Sequence, residues 1–326
     1  MSACDQVQYL RKQRVHEMRP SWETIMEELL KQYYTSCALC PRRCKVNRLA
    51  GQRGYCRVGT QIYYARAALH FWEEPCISAS EGSGAVFFSG CSLHCKYCQN
   101  EQISGGETGR VTDTEGLADV FLDLQKLGAN NINLVTACHH APLVACSLQT
   151  AREKGLRIPV VYNSSGYELP ETLRLLAGLV DVYLPDFKYM EPATAAAYSH
   201  APDYPDVASD ALSEMVRQVG DPVFSEKGLM TKGVIVRHLL LPGHVKEAKS
   251  IVKHVYTTYE DSVYLSLLSQ YTPMPNVTAD ALLGRRVTKR EYERLVQYTL
   301  ELGVTNCFIQ EGDCAKESFI PDWETG

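Results

Sequence analysis

From Ala85 onward the chain repeats short, continuously apolar runs rich in β-branched and aromatic residues: AVFFSG, NINLVTA, IPVVYN, VDVYLPD, GVIVRHLLL, VYLSLLSQ and CFIQ. Runs of this length and character are predicted to be strands buried on both faces, as in a parallel sheet. Between them the apolar period lengthens to that of amphipathic helices, as in TEGLADVFLDLQKLG and KREYERLVQYTLELG. Asp113 or Thr114 is expected to cap the first of these, and a glycine closes each. Repeated β-then-α units with right-handed crossovers curl into a barrel or a doubly wound sheet. In both, the active face lies at the C-terminal ends of the strands, so site residues are expected just beyond each run.

The front of the chain follows a different pattern. An amphipathic segment from Trp22 to Tyr34 is followed by CALCPRRCKVNRLAGQRGYCRVG, where four cysteines, Pro, Gly and Arg replace any apolar periodicity. This predicts a small metal-type knuckle after a helix. With no internal repeat, low-complexity tract or Pro/Gly/Ser linker, the chain reads as one compact unit. Its parts are an N-terminal helix and Cys-rich extension over residues 1–84 and a barrel over 85–326. The 326 residues are 45% apolar and 22% charged, enough to bury a sizeable core. A net charge of -5 offers no electrostatic reason to expect nucleic acid or an anionic membrane as partner. The first twenty residues mix charges with apolar positions, unlike a signal peptide or a membrane span, so a cytoplasmic location is expected. In that reducing compartment the 13 cysteines, an odd number, are read as metal ligands before disulfides.

The first run leads directly into Cys91-Ser-Leu-His-Cys95-Lys-Tyr-Cys98, a C-x3-C-x2-C loop on the expected active face. A [4Fe-4S] cubane normally takes four thiolates, so three on one loop imply an iron left open to a ligand. In S-adenosylmethionine (SAM) chemistry that ligand is the amino and carboxylate group of the methionine moiety. Zinc is the competing occupant, but it prefers four ligands and only His94 is at hand as a fourth. A second set, Cys37, Cys40, Cys44 and Cys56 in C-x2-C-x3-C-x11-C spacing, suits zinc or a second iron-sulfur cluster, with Cys76 able to replace one member. Cys138, His139 and His140 follow the second run, where a thiol could return a hydrogen atom to a substrate radical and a His could move a proton. Cys4, Cys146, Cys307 and Cys314 are expected to be unliganded.

The C-x3-C-x-aromatic-C loop after the first barrel strand resembles the radical SAM superfamily. CALCPRRCKVNRLAGQRGYC, ARAALHFWEEPCIS, GSGAVFFSGCSLHCKYCQN, NINLVT, YLPDFKY, GVIVRHLLLPGH, SLLSQYTPM and the closing ESFIP resemble its pyruvate formate-lyase activating enzyme-like branch, in the subgroup with a Cys-rich N-terminus. The resemblance implies a partial (β/α)6 TIM-like barrel, SAM, one [4Fe-4S] cluster on Cys91, Cys95 and Cys98, and an electron donor such as flavodoxin or ferredoxin. It also implies SAM contacts. Tyr97 takes the aromatic place beside adenine and Asn100 the polar place after the triplet. Asn163 and Ser164 match the strand that meets the ribose or methionine moiety, Asp186 and Lys188 an Asp-x-Lys pair, and Arg237 and Gln270 or Tyr271 the ends of later strands. A Gly-Gly-Glu motif for the SAM amino group is missing after the second strand, which ends in Val-Thr-Ala-Cys-His-His. Gly105-Gly106-Glu107 comes too early for that place and is read as a loop, leaving Thr136 and nearby backbone for the amino group. The resemblance implies hydrogen abstraction from a glycine of a glycyl-radical enzyme. The alternative is a radical acting on a small molecule or peptide in the chain's own cavity, with Cys138 as hydrogen donor. A non-catalytic iron-sulfur protein would leave the barrel and the SAM contacts without purpose.

Overall fold

The computed structural model describes residues 22–310. Cys4, Cys314 and the closing ESFIP lie outside them. The strands are β1 (Ile62–His70), β2 (Ser83–Phe88), β3 (Arg110–Thr112), β4 (Ile132–Val135), β5 (Val160–Ser164), β6 (Val182–Pro185), β7 (Val223–Phe224), β8 (Met230–Leu239), β9 (Tyr264–Leu268) and β10 (Cys307–Ile309). They form one sheet in the order β10-β9-β8-β6-β5-β4-β2-β1-β3, with β7 paired to β8. From β2 to β10 along this order every neighbouring pair is parallel, and each of the seven predicted runs supplies one of these strands. The architecture is a partial TIM-like α/β barrel.

Three strands fall outside the apolar runs. β1 pairs antiparallel with β2 and β3, and β7 pairs antiparallel with β8. β1 is half-buried along most of its length and β7 is exposed, so neither needed a continuous apolar sequence. Because β1 begins at Ile62, the sheet starts ahead of the division drawn at residue 84.

The helices between strands begin and end on local chemistry. The Asp113 side chain accepts from Gly116 N at 2.8 Å to open Thr114–Lys126, and Gly128, at φ 90°, follows that helix. Thr288 and Glu291 form a reciprocal capping box on Lys289–Glu301. Ala141–Lys154 is buried along most of its length and packs against Thr114–Lys126. Among the described residues no helix is long and apolar enough to cross a membrane.

Candidate active site

The C-terminal ends of the parallel strands surround a cavity of about 470 Å³. β2 enters it through Ser89-Gly90-Cys91. A side chain at Gly90, φ +89°, would lie 2.6 Å from Val58 Cγ1 and 2.8 Å from the Cys56 carbonyl, so this turn accepts only glycine. Cys91, Cys95 and Cys98 all line the cavity. Leu93 N donates to Cys91 Sγ at 3.3 Å and Cys98 N to the Cys95 carbonyl at 3.1 Å, folding the loop so that its thiols share one wall. Burial pushes the Cys95 and Cys98 thiols above their ordinary range, while the Lys188 ammonium opposes that rise at both. His94 is turned outward, with ring Nε2 3.0 Å from the Tyr55 carbonyl and φ 52°, so it does not complete a zinc set. Three thiols with no fourth beside them among the described residues suit a cubane with one open iron.

The SAM residues expected from the sequence line the same cavity: Tyr97, Asn100 and Thr136 near the loop, and Asn163, Ser164, Asp186, Lys188, Arg237 and Gln270 on the strand ends. Tyr271 does not. It is buried behind the wall, donates to the Leu283 carbonyl at 2.7 Å, and lies 6.0 Å from the Tyr97 ring, so Gln270 is the member of that pair facing the cavity. Asp186 accepts from Lys188 Nζ at 2.6 Å and from Arg237 Nε at 3.2 Å. Burial opposes ionisation of Asp186, but the two cations outweigh it and hold the carboxyl below its ordinary range. Burial likewise opposes protonation of Lys188, and Asp186 and Cys95 outweigh it and raise that ammonium. The cavity therefore presents a fixed cation beside the cysteine wall. Ser164 Oγ is also used internally, donating to the buried Glu168 at 2.6 Å.

The segment after β1 was not expected to contribute. β1 runs antiparallel to β2, so His70 pairs with Ser83 at the start of β2, and residues 70–75 cross beneath the barrel to form part of the cavity lining. Glu73 accepts from Arg237 Nη1 at 3.0 Å, Asn133 Nδ2 at 2.9 Å and Asn163 Nδ2 at 3.3 Å. Glu74 is buried beside it, its carboxyl pushed up mainly by that burial. Two adjacent acids and a Pro inside an otherwise apolar stretch, HFWEEPCIS, are the signal that could have found this floor.

Cys138 requires a correction. It is fully buried and is not among the residues that line the cavity, with Sγ 3.8 Å from Ser92 Oγ, so the thiol does not face the cavity as its place after the second run suggested. His139 and His140 are buried with it. Burial pushes both imidazoles down, and His139 supports the loop through a 2.8 Å contact to the Ser89 carbonyl. Gly105-Gly106-Glu107 is a loop off the cavity, where Glu107 accepts from Gly59 N at 2.8 Å and from Arg53.

Cys40 and Cys56 are buried, Cys37 and Cys44 partly so, and the four are close enough that Cys40 feels the charge of the other three. Tyr55 N donates to Cys44 Sγ at 3.3 Å. Cys76 is not in this group: it packs with Val161, Val182 and Leu184 in a separate apolar cluster. Cys146 and Cys307 do not line the cavity. Among the described residues no three His, Cys, Asp or Glu side chains, in either cysteine set, are drawn around a single ion position. The Cys-rich segment is tied to the turn after β4. Arg48, buried over the Tyr34 ring, donates to the Gly59 carbonyl at 2.7 Å and the His139 carbonyl at 2.8 Å.

Residues 81–184, which span β2 to β6, match the family of 4Fe-4S single cluster domains. An uncharacterized protein of Methanocaldococcus jannaschii is 27% identical over 297 residues, covering 87% of this chain and 81% of its own. The structure is similar to a radical SAM methyltransferase from Sphaerobacter thermophilus, with a TM-score of 0.50 and 13% identity over 95% of this chain and 93% of that one. Methylornithine synthase aligns with a TM-score of 0.45 and 12% identity over 92% of this chain and 77% of that one. The chain thus shares the barrel fold of that methyltransferase, and its match to 4Fe-4S single cluster domains contains the Cys91 loop.

Proposed function

We propose that this chain is a radical SAM enzyme, of the pyruvate formate-lyase activating enzyme-like branch, that abstracts a hydrogen atom from a glycine of a glycyl-radical enzyme. The observation that carries the reading is that Cys91, Cys95 and Cys98 share one cavity with the Asp186–Lys188–Arg237 wall. When bound, a reduced [4Fe-4S] cluster and SAM supply C5'–S cleavage and a 5'-deoxyadenosyl radical. The chain's own residues do the rest. Lys188, oriented by Asp186, offers a cation to the SAM carboxylate. Tyr97 offers a ring face to adenine, and Asn163 and Gln270 offer amides to ribose and methionine. An electron donor such as flavodoxin or ferredoxin and a cytoplasmic setting complete the proposal.

The reduced, reconstituted protein should be incubated anaerobically with SAM and a glycyl-radical enzyme. The expected result is a doublet radical signal on the partner together with 5'-deoxyadenosine and methionine. Deuterium entering 5'-deoxyadenosine from a labelled small molecule or peptide instead would reassign the substrate, and no 5'-deoxyadenosine under any condition would overturn the reading.

We also propose that Cys37, Cys40, Cys44 and Cys56 hold zinc or a second cluster. Metal analysis should then find about eight irons, or about four irons and one zinc, per chain. Replacing Cys37 and Cys40 by Ala should remove the second metal and expose residues 37–59 to proteolysis, because the binding free energy of such a knuckle is largely folding free energy. Four irons, no zinc and unchanged proteolysis would contradict it.

A further inference from the structure

We propose that Ser199 is a positioning residue that sets the reduction potential of the cluster through Cys95, and that Arg42 of the Cys-rich segment holds it in place. The inference rests on the reading of Cys91, Cys95 and Cys98 as cluster ligands. Ser199 is the last residue of the helix Pro192–Ser199 and is fully buried. Its Oγ lies 2.9 Å from Cys95 Sγ and 2.7 Å from Tyr189 OH, and Tyr189 OH lies 2.7 Å from Tyr97 OH. Each hydroxyl has one proton to give. With Cys95 as a cluster thiolate, which can only accept, the direction of the chain is settled: Tyr97 donates to Tyr189, Tyr189 to Ser199, and Ser199 to Cys95. Hydrogen bonds in series polarise one another, so the final O–H donates to sulfur more strongly than an isolated serine would.

A donor aimed at a cluster thiolate stabilises the more negative, reduced form, since hydrogen bonds to the sulfurs are one of the levers on iron-sulfur potentials. Tyr97 and Cys95 both line the cavity, so the same chain ties the aromatic wall to one ligand of the triplet.

Arg42 ties this device to the Cys-rich segment. It sits between Cys40 and Cys44, and its Nε donates to the Ser92 carbonyl, inside the triplet loop, at 2.9 Å. Its Nη2 donates to the Ser199 carbonyl at 3.1 Å, and Nη1 donates to the His200 carbonyl. The guanidinium stacks 4.1 Å from the centre of the Tyr55 ring. One side chain thus fastens the loop that carries Cys95 to the helix end that carries its donor, and it does so at a helix C-terminus, where unpaired carbonyls favour a cation. A lysine cannot reproduce this fork of donors.

The test is an anaerobic potentiometric titration of the reconstituted full-length chain, followed by the electron paramagnetic resonance (EPR) signal of the reduced cluster. In Ser199→Ala the cluster should keep its iron but become about tenfold harder to reduce, a shift of about 59 mV to more negative potential for one electron. Ser199→Thr, which keeps the hydroxyl, should stay near the parent value. Tyr189→Phe should shift in the same direction as Ser199→Ala but by less, because the serine still donates. Arg42→Lys should shift the same way as its partners loosen. An unchanged potential in Ser199→Ala, an equal shift in Ser199→Thr, or loss of iron in Ser199→Ala would overturn the inference, the last by making Ser199 merely structural. If the threonine variant does not fold, Tyr189→Phe decides: no shift there also contradicts the chain. A parent protein that takes up no iron would overturn the cluster reading and this inference with it, whereas a cluster indifferent to Ser199 overturns the inference alone.

Discussion

Replacing Cys91, Cys95 or Cys98 singly by Ala is expected to lower iron after reconstitution from about four per chain toward background and to abolish 5'-deoxyadenosine release. The reason is arithmetic at the site. The loop supplies three thiolates, and the residues beside them include no spare: His94 is bound to the Tyr55 carbonyl and Cys138 is sealed behind Ser92. A cubane left with two thiolates and two open irons is readily oxidised and lost. Cys146→Ala, in a buried helix off the cavity, is the control and should leave both readouts unchanged. Undiminished cleavage in any of the three variants would contradict the assignment.

The second large effect is expected at Arg237. Its guanidinium reaches Asp186, Glu73 and Asn163 from the interior of the barrel, with 15% of the side chain exposed. Arg237→Leu leaves two largely buried carboxylates short of a cation. Removing one partner of a buried pair typically costs about 3–5 kcal/mol, because the remaining charge stays desolvated. Thermal unfolding of the iron-free protein should therefore fall by roughly 10 °C. Lys188→Met removes the other cation on Asp186 but leaves Arg237 in place, so its stability loss should be smaller and its SAM affinity should fall. An Arg237→Leu protein within about 1 kcal/mol of the parent would show that the network does not hold the floor to the strand ends.

The parallel half of the sheet was legible because buried parallel strands are apolar on both faces, which sets AVFFSG, NINLVTA and their successors apart from everything around them. The active face followed from the same pattern, since strand ends point one way in such a fold and the residues just past them converge. β1 was not legible: IYYARAALH carries a charge and is half-buried, and its antiparallel course brings residues 70–75 under the barrel from the far end. Glu73 was missed for the same reason, because its role depends on a chain reversal that no local pattern announces. Cys138 was misplaced for a different reason. Its position after β4 suggested the cavity, but a short 3-10 turn over Cys138–His140 directs the thiol into the core behind the loop. Tyr271 differed from Gln270 only in which face of the strand's extension it occupies, a one-residue distinction that reverses the direction of a side chain. The contacts of Arg42 with the Cys91–Cys98 loop and of Arg48 with the turn after β4 span sequence separations of 50 and 91 residues, and only the folded chain brings them together.

The central claim is that SAM binds at an open iron of a cluster held by Cys91, Cys95 and Cys98. The most direct measurement is the EPR spectrum of the dithionite-reduced protein before and after SAM is added. A ligand on the cluster itself is expected to change the g values of the reduced signal, and Lys188→Met should need more SAM to produce the same change. A four-iron signal that is identical with and without saturating SAM would contradict the claim.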